Sequence, residues 1–230
     1  MKLLRFVFFY FGSVVCFCQS SIDVQHYLLN VILTKDSKII SLNESIDIHL
    51  EKQTSSLSLD LIGPQKNKVG MRVISVSAPY QKLSWQQTAE QLHVDLPDQL
   101  QRGDIQLYIE LSGEPSDGLV IGANKFGDPT FFADNWPNRA RYWYACNDHP
   151  SDKATYDFIV EAPEDMRVVA NGNLLSIISK IERKAFEWSF RMDEPISTKV
   201  AVIGAATMVA KEIGVVNGIP ITATVYPLDS

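Results

Sequence analysis

Between positions 134 and 157 the chain gathers most of the side chains that could do chemistry. Asp134-Asn135-Trp136 sets a carboxylate, an amide and an indole in a row, with Pro137, Arg139 and Arg141 close behind. A carboxylate placed there can hold an ammonium group and an Asn amide can hydrogen-bond it. An indole face can wall a pocket or attract a cation. The same residues equally fit an Asp/Asn turn ahead of Pro137, with Trp136 as a packing residue. Arg139 and Arg141 suit bracing ion pairs to carboxylates such as Asp128 or Asp148. Farther along, Cys146-Asn147-Asp148-His149-Pro150 and Lys153 read as a turn preset by proline, with Asp148 accepting backbone N–H groups. Cys146 stands among aromatics, as a small buried hydrophobe does. A nucleophilic thiol needs a base held against it, and His149 is near only in sequence.

Zinc peptidase helices carry His-Glu-x-x-His, which puts both imidazoles on one face and the Glu beside the bound water. The four histidines here are His26, His49, His93 and His149, and no two are four apart. No catalytic residue and no metal ligand is therefore assigned. His49 and His93 alternate with apolar neighbours, which predicts solvent-facing positions. Gly-x-Ser-x-Gly, the P-loop and the dinucleotide fingerprint are also missing, and Asp117-Gly118 reads as a turn.

The elements that must position the 134–157 segment are strands. Leu42, Ile46, Ile48 and Leu50 alternate with polar residues, as do Leu57-Leu59-Leu61, Leu92-Val94-Leu96, Ile105-Leu107-Ile109-Leu111 and Phe186-Trp188-Phe190. Period two with one apolar face marks half-buried antiparallel strands. Tyr27–Leu33, Val200–Ile203 and Ile221–Val225 are more uniformly apolar and are expected to be covered on both faces. Asn217-Gly218 between apolar runs is a two-residue hairpin signal. Leu174–Lys184 fits either a helix or a strand with a hairpin arm. The expectation is an all-β domain of packed, mostly antiparallel sheets. Gly118–Asp152 is a long stretch of weak periodicity, and such loops are often functional.

Hydrophobic residues make up 46% and charged residues 21%, an ordinary globular balance. The net charge is −6, and losing Lys2 and Arg5 with a leader would take it to −8. Lys and Arg are scattered, which argues against nucleic acid. Lys2 and Arg5 precede an apolar run, Leu3–Phe17, too short for a convincing membrane span. Residues 1–18 are expected to be a signal peptide and 19–230 the mature domain, secreted or periplasmic. Bulky Phe17 before Cys18 disfavours a lipoprotein. Cys146 then remains alone, so the domain is held by its core and not by a disulfide.

Arg141-Tyr-Trp-Tyr-Ala-Cys146-Asn-Asp148-His-Pro150-Ser-Asp-Lys153-Ala-Thr155-Tyr156, followed by Val168-Val169-Ala170-Asn171-Gly172, resembles the N-terminal domain of the aminopeptidase N family, zinc metallopeptidases that include leukotriene hydrolase. The resemblance extends over roughly residues 23–230. It implies a sandwich- or saddle-like domain that packs on a thermolysin-like catalytic domain, in cis or in trans. It also implies a loop that helps hold the peptide's amino terminus. Where the family has Gln or Glu in that loop, this chain has Asp134-Asn135-Trp136. Asp134, Asn135, Trp136 and Arg141 are thus candidate substrate-binding residues, and Cys146, Asp148, Pro150 and Lys153 are architectural. Zinc is expected only in a catalytic domain, so hydrolase activity is not expected of these residues alone. The alternative is a stand-alone secreted binding module of the same fold.

Overall fold

The computed structural model describes residues 22–66 and 69–230, so the expected signal peptide at 1–18 lies outside the described residues. In chain order the strands are β1 (Ile22–Ile32), β2 (Ile40–Leu50), β3 (Ser56–Asp60), β4 (Gly70–Ala78), β5 (Gln81–Lys82), β6 (Trp85–Gln87), β7 (Gln91–Asp95) and β8 (Gly103–Glu114). They continue with β9 (Leu119–Ala123), β10 (Pro129–Ala133), β11 (Lys153–Pro163), β12 (Arg167–Ala170), β13 (Asn173–Lys180), β14 (Ala185–Ser197), β15 (Ile203–Ala206), β16 (Val209–Val216) and β17 (Ile219–Val225). Among the described residues the helical elements are short 3-10 turns.

One eight-stranded sheet, in the order β13-β14-β11-β1-β2-β8-β4-β5, is the frame of the molecule. All its pairs are antiparallel except β1 with β11. Three of the period-two strands, β2, β8 and β14, fall in it: β2 buries Leu42, Ile46, Ile48 and Leu50 and turns Asn43, Ser45, Asp47 and His49 outward. On its inner face lie a four-stranded sheet, β12-β15-β10-β9, and a three-stranded sheet, β3-β7-β6. Inward residues of all three form one continuous core, including Leu29, Leu107 and Phe158 of the large sheet, Leu59 and Val94 of the smaller one, and Phe131 and Ile203 of the other. An aromatic stack runs through it. Tyr27 lies on Tyr156 at 5.0 Å, Tyr156 on Phe158 at 5.4 Å, and Trp143 meets Tyr144 edge-on at 4.6 Å. Such pairs contribute about 1 kcal/mol each beyond their buried area.

Three sequence expectations need correction. In Tyr27–Leu33, residues alternate between buried and half-buried, because β1 has a solvent face like its neighbours. Val200–Ile203 is not one strand: Val200 ends a 3-10 turn, Thr198–Val200, and Ile203 opens β15. Ile221–Val225 lies in β17, which pairs only with β16; the ribbon stands apart, so Ile213, Val215 and Ile219 are 62%, 59% and 67% exposed. Its turn is as expected: Asn217 and Gly218 both have positive φ, 51° and 80°, the signature of a type I′ hairpin. Leu174–Lys184 resolves as strand β13, a 3-10 turn at Ile181–Arg183, and the return into β14.

Candidate functional site

The segment from Asp134 to Arg141 leaves the end of β10 and crosses to a 3-10 turn at Ala140–Tyr142. Its path is fixed at both ends. Asp134 donates its N–H to the Gly118 carbonyl at 2.6 Å, and Arg139 donates its N–H to the Asn135 carbonyl at 2.8 Å. Gly118 is required there: its φ is +73°, and a Cβ would stand 2.0 Å from the Arg139 carbonyl oxygen.

Asn135 is 1% exposed. Its Nδ2 donates to the carbonyls of Thr198 and Ala201, at 2.9 and 2.6 Å, and its Oδ1 accepts the Trp143 indole N–H at 2.9 Å. The amide expected to touch a substrate is therefore occupied by the fold, joining β10 to the β14–β15 connection. Asp134 points outward, with its side chain 59% exposed. It pairs with Arg139, whose guanidinium also reaches Asp117 at 3.3 Å and the Trp136 carbonyl at 2.5 Å. Two carboxylates thus share one guanidinium beside Trp136. That indole is 60% exposed, and the Lys199 ammonium lies over its ring at 5.0 Å. Asp134 and Trp136 thus share one surface, and Asn135 is the peg beneath them.

Arg141 serves the interior. Its Nε donates to Asp148 Oδ2 at 3.0 Å, and its Nη2 lies 3.3 Å from Asp60 Oδ2. Asp148 is buried and also accepts the Thr198 hydroxyl on Oδ1 at 2.7 Å. Asp60 completes the clamp by accepting the Asp148 N–H at 3.1 Å, and it bridges Cys146 through paired backbone bonds of 2.7 and 3.1 Å. Arg141 braces Asp148 as the sequence suggested. Asp128 plays no such part: it caps the β9–β10 turn with Asn124.

Cys146 is fully buried, and burial pushes its thiol well above the ordinary range. His149 is hydrogen-bonded instead to Ser151 at 2.6 Å, so nothing activates the sulfur. The proline turn closes through the Asp152 N–H donated to the His149 carbonyl at 3.0 Å, and not through Asp148. Pro150 lies exposed at its tip, and Lys153 opens β11.

Asp152 accepts the Asn147 side-chain amide at 2.6 Å and the Val24 N–H at 3.3 Å. Burial raises its carboxyl from the usual 3.8 to about 6, against those two hydrogen bonds. A carboxyl that keeps its proton longer when folded stabilises below pH 3.8, and that contribution is lost as pH rises through 6. Discounted for partial exposure, the loss is about 1 kcal/mol between pH 4 and 7. Urea midpoints of Asp152→Asn and the parent are expected to diverge in the variant's favour over that range; a difference that stays constant with pH would refute the assignment.

Several residues here carried little sequence signal. Asp117 and Gly118 read only as a turn, and Asp60 as one polar residue of an alternating strand. Glu44 was passed over, although it had a signal: strand parity places it inward with Leu42 and Ile46. It is buried, accepts the Ala145 N–H at 3.1 Å, and burial raises its carboxyl well above the ordinary range. Among the described residues no group of three or more His, Cys, Asp or Glu converges to hold a metal ion.

Against solved structures, the chain is 25% identical to the M1 zinc metallopeptidase from Deinococcus radiodurans, with a TM-score of 0.73 over 90% of this chain and 47% of that one. A variant of that enzyme bound to a Tyr-ser-ala substrate is 23% identical, also at 0.73, over 89% and 47%. Native leukotriene A4 hydrolase from Saccharomyces cerevisiae is 19% identical at 0.74, over 90% and 32%. The chain thus spans about half the length of the first and a third of the last. Comparison with curated proteins finds no match. The model of the peptidase M1 N-terminal domain matches residues 23–200, most of the chain, and the chain belongs to that family.

Proposed function

We propose that this chain is the non-catalytic N-terminal domain of a secreted zinc metallo-aminopeptidase, and that it both supports the catalytic domain and helps to recognise a peptide's amino terminus. The observation that carries the recognition role is the outward carboxylate of Asp134, held beside Trp136 by a buried Asn135. Carboxylate and indole together suit a cationic amine, which would take the places that Arg139 and Lys199 now hold. The supporting role draws on the β16–β17 ribbon, whose exposed Ile213, Val215, Val216 and Ile219 are more than a lone soluble domain ordinarily shows. That surface favours a covered domain over a stand-alone module. Zinc and the water-activating Glu belong, in this reading, to the catalytic domain, and export rests on the basic and apolar pattern of residues 1–18.

The test is kinetic and uses the enzyme with its catalytic domain. Asp134→Ala is expected to raise KM for an aminoacyl-nitroanilide about tenfold with kcat little changed, as loss of uniform binding does. Its melting temperature should stay near the parent's, because an exposed ion pair contributes about 0.5 kcal/mol. An unchanged KM would remove Asp134 from substrate recognition.

A further inference from the structure

The large sheet has an outer face opposite the core, toward which β1, β2 and β8 turn alternate residues. Two adjoining cavities of about 780 and 470 Å³ lie on it, lined by β1, β2, β4 and β8 and sharing Gln106. The strand register sets out their floor as transverse rows. Asn30, Asn43, Glu110 and Ser75 form one row across four strands. Leu28, Ser45, Tyr108 and Ser77 form the next, and Asp47 and Gln106 belong to the one after. Neighbours in a row are about 5 Å apart, and successive rows about 7 Å.

The chemistry of this floor is particular. Neither cavity is lined by Lys or Arg, which disfavours phosphate or any other anion. The smaller cavity offers amides, hydroxyls, one outward carboxylate and one aromatic ring. Among the described residues the amides of Asn30 and Asn43 make no hydrogen bond to protein, although they are cross-strand partners on the trough floor. Glu110 beside them is engaged only by the Ser75 hydroxyl at 3.3 Å. Planar side chains that present donors and acceptors side by side match adjacent hydroxyl groups on a ring. Tyr108, 42% exposed, supplies an apolar surface next to them. A cationic peptide fits less well, since the three carboxylates at the larger cavity are already engaged: Asp23 by Gln25, Asp47 by Gln106 at 2.7 Å and Asp104 by His49 at 2.6 Å.

We propose that this trough binds a neutral oligosaccharide, with Asn30, Asn43 and Glu110 hydrogen-bonding its hydroxyls and Tyr108 packing against a sugar ring. The surface faces away from the Asp134 loop, with the core between them, so the proposal stands independently of the aminopeptidase reading.

Calorimetric titration of the whole protein with cellohexaose, maltohexaose, laminarihexaose and chitohexaose, and with hexalysine for comparison, tests this. At least one glycan is expected to bind with Kd of about 1 mM or tighter. Binding should persist in about 0.5 M salt, because a neutral ligand is not screened. Asn43→Ala and Tyr108→Ala, both outward-facing, should each weaken it about tenfold while leaving the fold intact by circular dichroism. Three outcomes overturn the proposal: no heat from any of the four glycans, salt-sensitive binding of hexalysine alone, or glycan binding that both variants retain at full strength.

Discussion

Asn135→Ala is expected to destabilise the chain by about 3 kcal/mol, since it leaves the Ala201 carbonyl and the Trp143 indole N–H buried without the partner they now have. The Thr198 carbonyl is less affected, because it also accepts the Ala201 N–H at 3.2 Å. For a chain of this size the loss corresponds to a fall of about 10 °C in melting temperature. Asn135→Asp should be at least as damaging as Asn135→Ala at neutral pH, because it sets a buried, uncompensated carboxylate against two carbonyl oxygens. Thermal melts of the three proteins decide the matter. If Asn135→Ala melts with the parent, the amide is not the peg that holds the loop, and its side chain becomes available for a substrate after all.

The second large effect is expected at Arg141. Arg141→Met removes the cation that compensates Asp148, whose side chain is 1% exposed, and frees Asp60 from the same clamp. An uncompensated buried carboxylate typically costs about 3–5 kcal/mol. Arg141→Lys should recover only part of this, because an ammonium cannot span Asp148 and Asp60 as the guanidinium fork does. The double variant Arg141→Met/Asp148→Asn should be more stable than Arg141→Met alone, since it removes the stranded charge. Chemical denaturation reads all three. A double variant no more stable than the single one would show that the cost arises from lost packing of the Arg stem.

The pairing of these two residues with the loop explains what was and was not legible in the sequence. The alternation in Leu42–Leu50 and Ile105–Leu111 located β2 and β8 because a one-residue slip would turn every apolar side chain into solvent. Asn217-Gly218 located a hairpin because few residues tolerate two successive positive φ values. Cys146, Asp148 and Lys153 read as architecture in the sequence; Cys146 and Asp148 are buried, and Lys153 opens β11. Asn135 was not: an Asn before Trp-Pro looks the same whether it faces water or the interior. Its burial is set by Thr198 and Ala201, more than sixty residues away. Asp60 was hidden for the same reason, being 88 residues from the N–H that it accepts. Apolar content also misled at Ile221–Val225, where burial depends on a third strand that the described residues do not supply.

The parallel pairing of β1 with β11 has a consequence for how this chain is made. β1 can pair with β2 as soon as residue 50 has been synthesised, since that hairpin is local. Its other edge meets β11 only through contacts such as His26 with Thr155, 129 residues apart. Until then the nascent sheet carries an open strand edge in what will be its middle, and Leu29 and Val31 lack their final cover. Long-range closure of this kind is slow and exposes the chain to wrong pairings. The 141–157 segment therefore has a kinetic office besides its structural one: by turning the loop sharply into β11, it delivers the strand that seals the centre of the sheet.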